Sequence, residues 1–113
     1  MLKKEYRNVL GTMLRKDIAK ALDLFTGIWS NGIYKVSVDK GVKKNCRVDI
    51  VCSKDPYVSS KVKEYVEEAY NFSEENLILD ERYFDSAHYC YSVSEDTLMQ
   101  IYGLLRIKGY TMN

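Results

Sequence analysis

One hundred and thirteen residues with a single proline are enough for one domain with its own core and too few for two. Apolar residues make up 46% of the chain and charged residues 29%, with no low-complexity run, which excludes a disordered or fibrous protein. A net charge of +1, from 17 basic and 16 acidic residues, excludes strong nucleic-acid binding by bulk charge and leaves only local patches to consider.

The apolar residues Leu10, Leu14, Ile18, Leu22, Phe25 and Trp29 recur at helical spacing. Met13, Ala21 and Ile28 widen the stripe, while Arg15, Lys16, Lys20 and Asp23 fall between. This predicts a first helix that runs to Trp29 and is ended by Asn31-Gly32, where positive φ is tolerated. It can reach back to Lys3, although Gly11 costs about 1 kcal/mol relative to alanine and Thr12 offers a fresh N-cap.

Two strand-like runs follow, residues 33–39 and 46–52, joined by the lysine-rich stretch KGVKKN. Tyr34, Val36 and Val38 alternate with Lys35 and Ser37. Cys46, Val48, Ile50 and Cys52 alternate with Arg47, Asp49 and Val51. The expectation is a hairpin with one apolar face, carrying Tyr34 inward, and a basic tip.

Asp55 before Pro56 marks a helix start, and Val58, Val62, Tyr65 and Ala69 share one face of the helix that follows. The acidic run from Glu67 to Asn76 reads as its solvated end. Beyond it, Ala87, Tyr89, Tyr91 and Val93 alternate with His88, Cys90 and Ser92 and form a strand. A second hairpin is expected, with the place of residues 76–83 left open. Ser94 as N-cap, Glu95 and Asp96 in the first turn, and the face Leu98, Ile101, Tyr102 and Leu105 define a last helix from about Glu95 to Lys108, with Gly109 beyond it. The order is α-β-β-α-β-β-α in a single domain over residues 1–113. It points to an α+β fold, a four-stranded, mainly antiparallel sheet with helices packed on one face.

Gly32, Ile33 and Tyr34 resemble the first motif of the GIY-YIG nuclease family, which would imply a metal-dependent phosphodiesterase. The resemblance stops at three residues. Where the second motif belongs, the chain reads Cys46-Arg47-Val48-Asp49-Ile50, and no arginine lies between Arg47 and Arg82 to take the place of the catalytic one. A helix end followed by a strand start accounts for the tripeptide equally well.

No other catalytic constellation replaces it. Cys46 and Cys52 are six residues apart on one strand, roughly 20 Å, too far to share an ion. His88 and Cys90 share a strand face about 7 Å apart, too long for direct proton transfer. Phosphate-binding glycine loops and nucleophile-elbow motifs are absent. No enzymatic activity, metal or cofactor is therefore expected. Three irregularly spaced cysteines fit reduced thiols. No apolar run approaches the roughly 20 residues of a membrane span, and residues 1–10 lack a signal-peptide core, so the expected location is cytoplasmic, without a membrane partner.

Ten tyrosines against three phenylalanines and one tryptophan suit a half-wet contact surface. The expected function is a small non-enzymatic binding module, a regulator or inhibitor of the kind mobile elements such as phages encode. It would act on a host or cellular protein through Tyr57, Tyr83 and Tyr110. The sheet edges leave room for a homodimer. The alternative is a nucleic-acid-binding module using the basic hairpin residues Lys35, Lys40, Lys43, Lys44 and Arg47.

Overall fold

The computed structural model describes residues 2–22 and 32–110. Helix α1 spans Lys4–Ala21. Strands β1 (Ile33–Lys40) and β2 (Asn45–Ser53) follow, then α2 (Pro56–Ala69), a short 3-10 turn, β3 (Leu77–Arg82), β4 (Ser86–Ser94) and α3 (Glu95–Ile107). The α-β-β-α-β-β-α order is as the periodicities imply, and residues 77–82, left open by the sequence, form a strand. The sheet is antiparallel throughout, in the order β1-β2-β4-β3.

One alternate set of sheet residues, Val36 and Val38 on β1, Cys46, Val48, Ile50 and Cys52 on β2, and Ala87, Tyr89, Tyr91 and Val93 on β4, is buried. These residues share a single cluster with Leu10, Met13, Leu14 and Ile18 of α1, Val62 and Val66 of α2, and Leu98, Ile101 and Leu105 of α3. The period of two in the strands and of 3.6 in the helices thus meet in one core.

Helix α1 begins earlier than Thr12 and takes Gly11 into its interior. Thr12 caps nothing; its hydroxyl donates to the Asn8 carbonyl one turn back. Gly11 has a tertiary reason to be there. A Cβ at this position would stand 2.8 Å from the Val36 carbonyl oxygen of β1, so the bare backbone lets α1 lie directly on the strand. The described helix stops at Ala21, with the Leu22 amide bonded to Ile18. The continuation through Phe25, Ile28 and Trp29 to Asn31 lies outside the described residues.

Strand β1 departs from strict alternation. Its register with β2 shifts between Ile33 and Lys35, so Ile33 pairs with Cys52 and turns inward, fully buried. Tyr34 occupies the bulge and is 47% exposed, which corrects its expected place in the core. A similar shift lies between Leu77 and Leu79 in β3. Both edge strands are therefore irregular, a feature that discourages pairing with another sheet.

Candidate protein-binding site

The β3–β4 turn, Tyr83-Phe84-Asp85, carries two of the exposed aromatic side chains, Tyr83 and Phe84. Phe84 is 92% exposed, the most exposed large apolar side chain among the described residues. Three hydrogen bonds brace its turn. The Tyr83 amide donates to the Ser86 carbonyl at 2.8 Å and closes the turn. Arg82 reaches across to the Lys54 carbonyl at 3.0 Å, and the Lys54 ammonium donates to the Phe84 carbonyl while standing 5.4 Å from the Phe84 ring. The aromatic ring is held out on a braced hairpin and not on a loose loop.

Tyr83 is 54% exposed and packs edge-on against His88, with ring centroids 4.7 Å apart. Its phenol is held above its ordinary pKa by a hydrogen bond with Glu81. Tyr57 is 69% exposed at the start of α2, just beyond the Lys54 that braces the turn. Asp55 caps this helix by accepting from the Tyr57 amide at 3.0 Å, which fixes the ring's origin. Lys61 then donates to the Tyr57 hydroxyl at 2.8 Å and lies over its ring at 4.0 Å. Tyr57 and Tyr83 are thus both exposed, Tyr57 three residues after the Lys54 that braces the turn carrying Tyr83.

Tyr110 is elsewhere. It is half-buried against the core, beyond the C-terminus of α3, with Lys20 of α1 6.0 Å from its ring. Burial and Asp17 raise its phenol's pKa. The three expected tyrosines therefore form no single surface. Phe84, which was not singled out from the sequence, completes the site with the other two. Its signal was legible in RYFDS: a large apolar residue inside a turn, belonging to neither alternating strand.

The basic set is scattered. Lys35 is exposed beside Val51, its partner in the β1–β2 register, and Lys40 is exposed where β1 ends. Lys43 and Lys44 form the β1–β2 turn, with Lys43 at a left-handed φ of 57°. They border a shallow cleft whose other walls are Ser94, Glu95 and Asp96. Arg47 pairs with Asp49 at 3.2 Å and sits opposite Asp39 in the register. Lys43 and Lys44 have Glu95 and Asp96 across the cleft, and Arg47 has Asp49, so these cations have carboxylates at hand.

The acidic run after α2 is more than a solvated end. Lys63 bridges Glu67 at 2.8 Å and Glu74 at 3.4 Å, and Glu67 also accepts from the Tyr91 hydroxyl at 2.9 Å.

All three cysteines are free and buried. Cys90 belongs to the outward-facing set with His88, yet it is fully covered. Burial first, then Asp49, pushes its pKa to about 12, and burial pushes Cys52 to about 11. These thiols stay protonated and unreactive at neutral pH. Among the described residues no group of three or more His, Cys, Asp or Glu side chains is arranged to hold a metal ion. No described helix is long and apolar enough to cross a membrane.

One buried carboxylate was missed from the sequence. Asp17, only 2% exposed on α1, accepts from Tyr65 at 2.8 Å and from Tyr70 at 2.5 Å, with Lys108 of the α3 C-terminus at 3.4 Å. Burial and Asp17 together push both phenols well above the ordinary tyrosine pKa. The group ties the three helices together.

No family model, curated protein or solved structure matches the chain.

Proposed function

We propose that the protein is a non-enzymatic binding module that acts by contact with another protein and uses the β3–β4 tip as its anchor. The observation that carries this reading is Phe84, 92% exposed on a turn held by Lys54 and Arg82. A turn needs no phenylalanine to form, and exposing one has a cost in solubility. A rigid aromatic flanked by tyrosines is the kind of residue that dominates protein interfaces. The partner is a protein with an apolar pocket for the ring and polar groups for the hydroxyls of Tyr57 and Tyr83. The reading extends to a cytoplasmic regulator or inhibitor, of the kind a phage or other mobile element would encode against a host protein.

The test is affinity capture from the source cells with nuclease present, at low and high salt, comparing the native chain with Phe84→Ser and with the double variant Lys43→Glu, Lys44→Glu. A stoichiometric protein retained at high salt by the native chain and by the lysine variant, and lost with Phe84→Ser, is the expected result. A protein kept by Phe84→Ser removes the tip from the interface. Nucleic acid recovered when nuclease is omitted, lost at high salt and lost with the lysine variant, would put the basic hairpin in its place.

A further inference from the structure

Two glycines lie inside helices, and they have opposite surroundings. At Gly11 a Cβ would collide with the Val36 backbone, so the fold of one chain requires the glycine. At Gly103, in the middle of α3, a Cβ would meet nothing within 4 Å. Its φ is not positive either, Gly109 being the only described glycine in that region. Glycine is the poorest helix former after proline, and nothing within the described part of the chain accounts for it here.

The residues around Gly103 supply an account. Met99 and Ile107 lie four residues before and four after it, so the three form one i, i+4 row along the helix. This row faces away from the buried set Leu98, Ile101 and Leu105. Met99 is 56% exposed and Ile107 is 86% exposed, with Leu104 beside them at 42%. The result is an unpartnered apolar strip with its lowest point at its centre. After Lys108 the described chain turns back toward α1, where Tyr110 packs, and among the described residues nothing covers the strip.

We propose that α3 is a self-association face, on which a second copy of this chain docks its own α3 antiparallel, the two helices crossing at Gly103. The strip fits its own copy because it is symmetric about the glycine. A two-fold axis there sets Gly103 against Gly103 of the second chain and Met99 against the second chain's Ile107, twice. Crossings in which i±4 rows run side by side are the commonest class between helices, and a glycine at the crossing point lets the backbones close in. Charge agrees with this direction. The exposed Asp96 lies in the first turn and Arg106 in the last, so antiparallel helices place opposite charges at each end of the contact. Contact through one helix pair is smaller than the roughly 800 Å² per partner of a standard-size interface, so the dimer is expected to be a weak, concentration-dependent one.

Sedimentation equilibrium from micromolar to millimolar concentration tests the idea, alongside thermal melts at a dilution where the chain is monomeric. The native chain is expected to pass from monomer to dimer across this range. Gly103→Leu is expected to stay monomeric while melting at a higher temperature, because the side chain blocks the crossing but improves the helix. Under mild oxidation, a mixture of Met99→Cys and Ile107→Cys chains should form the mixed disulfide, and neither variant alone should cross-link. A native chain that stays monomeric throughout would overturn the proposal. So would a Gly103→Leu chain that still dimerises, or single cysteine variants that each pair with themselves.

Discussion

Tyr70 donates its phenolic proton to Asp17 at 2.5 Å, across 53 residues of sequence, in a site from which water is almost wholly excluded. Tyr65 donates to the same carboxylate oxygen, and Lys108 approaches the other. A buried carboxylate is tolerable only when its oxygens are satisfied in this way, and the arrangement makes one aspartate the junction of α1, α2 and α3.

Removing one partner should cost more than a surface hydrogen bond. Asp17→Ala leaves the buried Tyr70 phenol, the half-buried Tyr65 phenol and the exposed Lys108 without their acceptor, and it is expected to destabilise by about 1–3 kcal/mol, the range for stranding a buried hydrogen-bonding group. Tyr70→Phe removes one donor and should cost about 1–3 kcal/mol. Urea denaturation of the two single variants and the double variant checks both values. The double should cost clearly less than the sum of the singles; additive costs would show that the two residues do not act through each other.

Stability should fall at alkaline pH. The phenols of Tyr65, Tyr70 and Tyr91 have folded-state pKa values raised above the ordinary tyrosine value of about 10, chiefly by burial. A group with a raised folded pKa contributes fully below its unfolded pKa. Its contribution is lost as pH rises further, because the unfolded chain then gives up a proton that the folded chain keeps. The unfolding free energy is therefore expected to decline with rising pH above about 10 from the tyrosines. The thiols start the decline about one unit earlier, since Cys52 and Cys90 rise from 9.0 to about 11 and about 12. Tyr70→Phe should flatten the slope by about one proton. Urea titrations between neutral pH and pH 11 measure it.

The native protein should resist thiol reagents. With Cys46, Cys52 and Cys90 all buried and their pKa values raised, an aromatic disulfide reagent at neutral pH is expected to label none of them at the rate of a free thiol. In denaturant all three should react at once. Fast labelling of any one in the folded state would show that its strand opens locally.

Gly11→Ala should destabilise although alanine is the better helix former. The new Cβ would stand 2.8 Å from the Val36 carbonyl, which belongs to backbone and cannot swing aside. A loss of about 1–3 kcal/mol is expected from overpacking, offset in part by the gain in helix propensity of about 1 kcal/mol. Thermal melts of this variant beside Gly103→Ala, which meets open space, should shift in opposite directions.

Element order and the buried faces of α3, β2 and β4 were readable from the chain, because local periodicity and caps such as Asp55-Pro56 and Ser94 act over a few residues. What the tertiary structure decided depends on distant partners. Tyr34 points outward because the pairing of β1 with β2 carries a bulge, and Tyr110 turns to the core because Asp17 and Lys20 of α1 meet it there. Phe84 is held out on a braced turn only because Lys54, 30 residues earlier, donates to its carbonyl. Gly11 looks like a flaw in a helix until Val36 is seen above it, and Asp17 like one more surface charge until Tyr65 and Tyr70 close over it. Periodicity reports which side of an element is apolar, whereas register shifts, close backbone approaches and buried hydrogen bonds are set by whatever the folded chain brings to the other side.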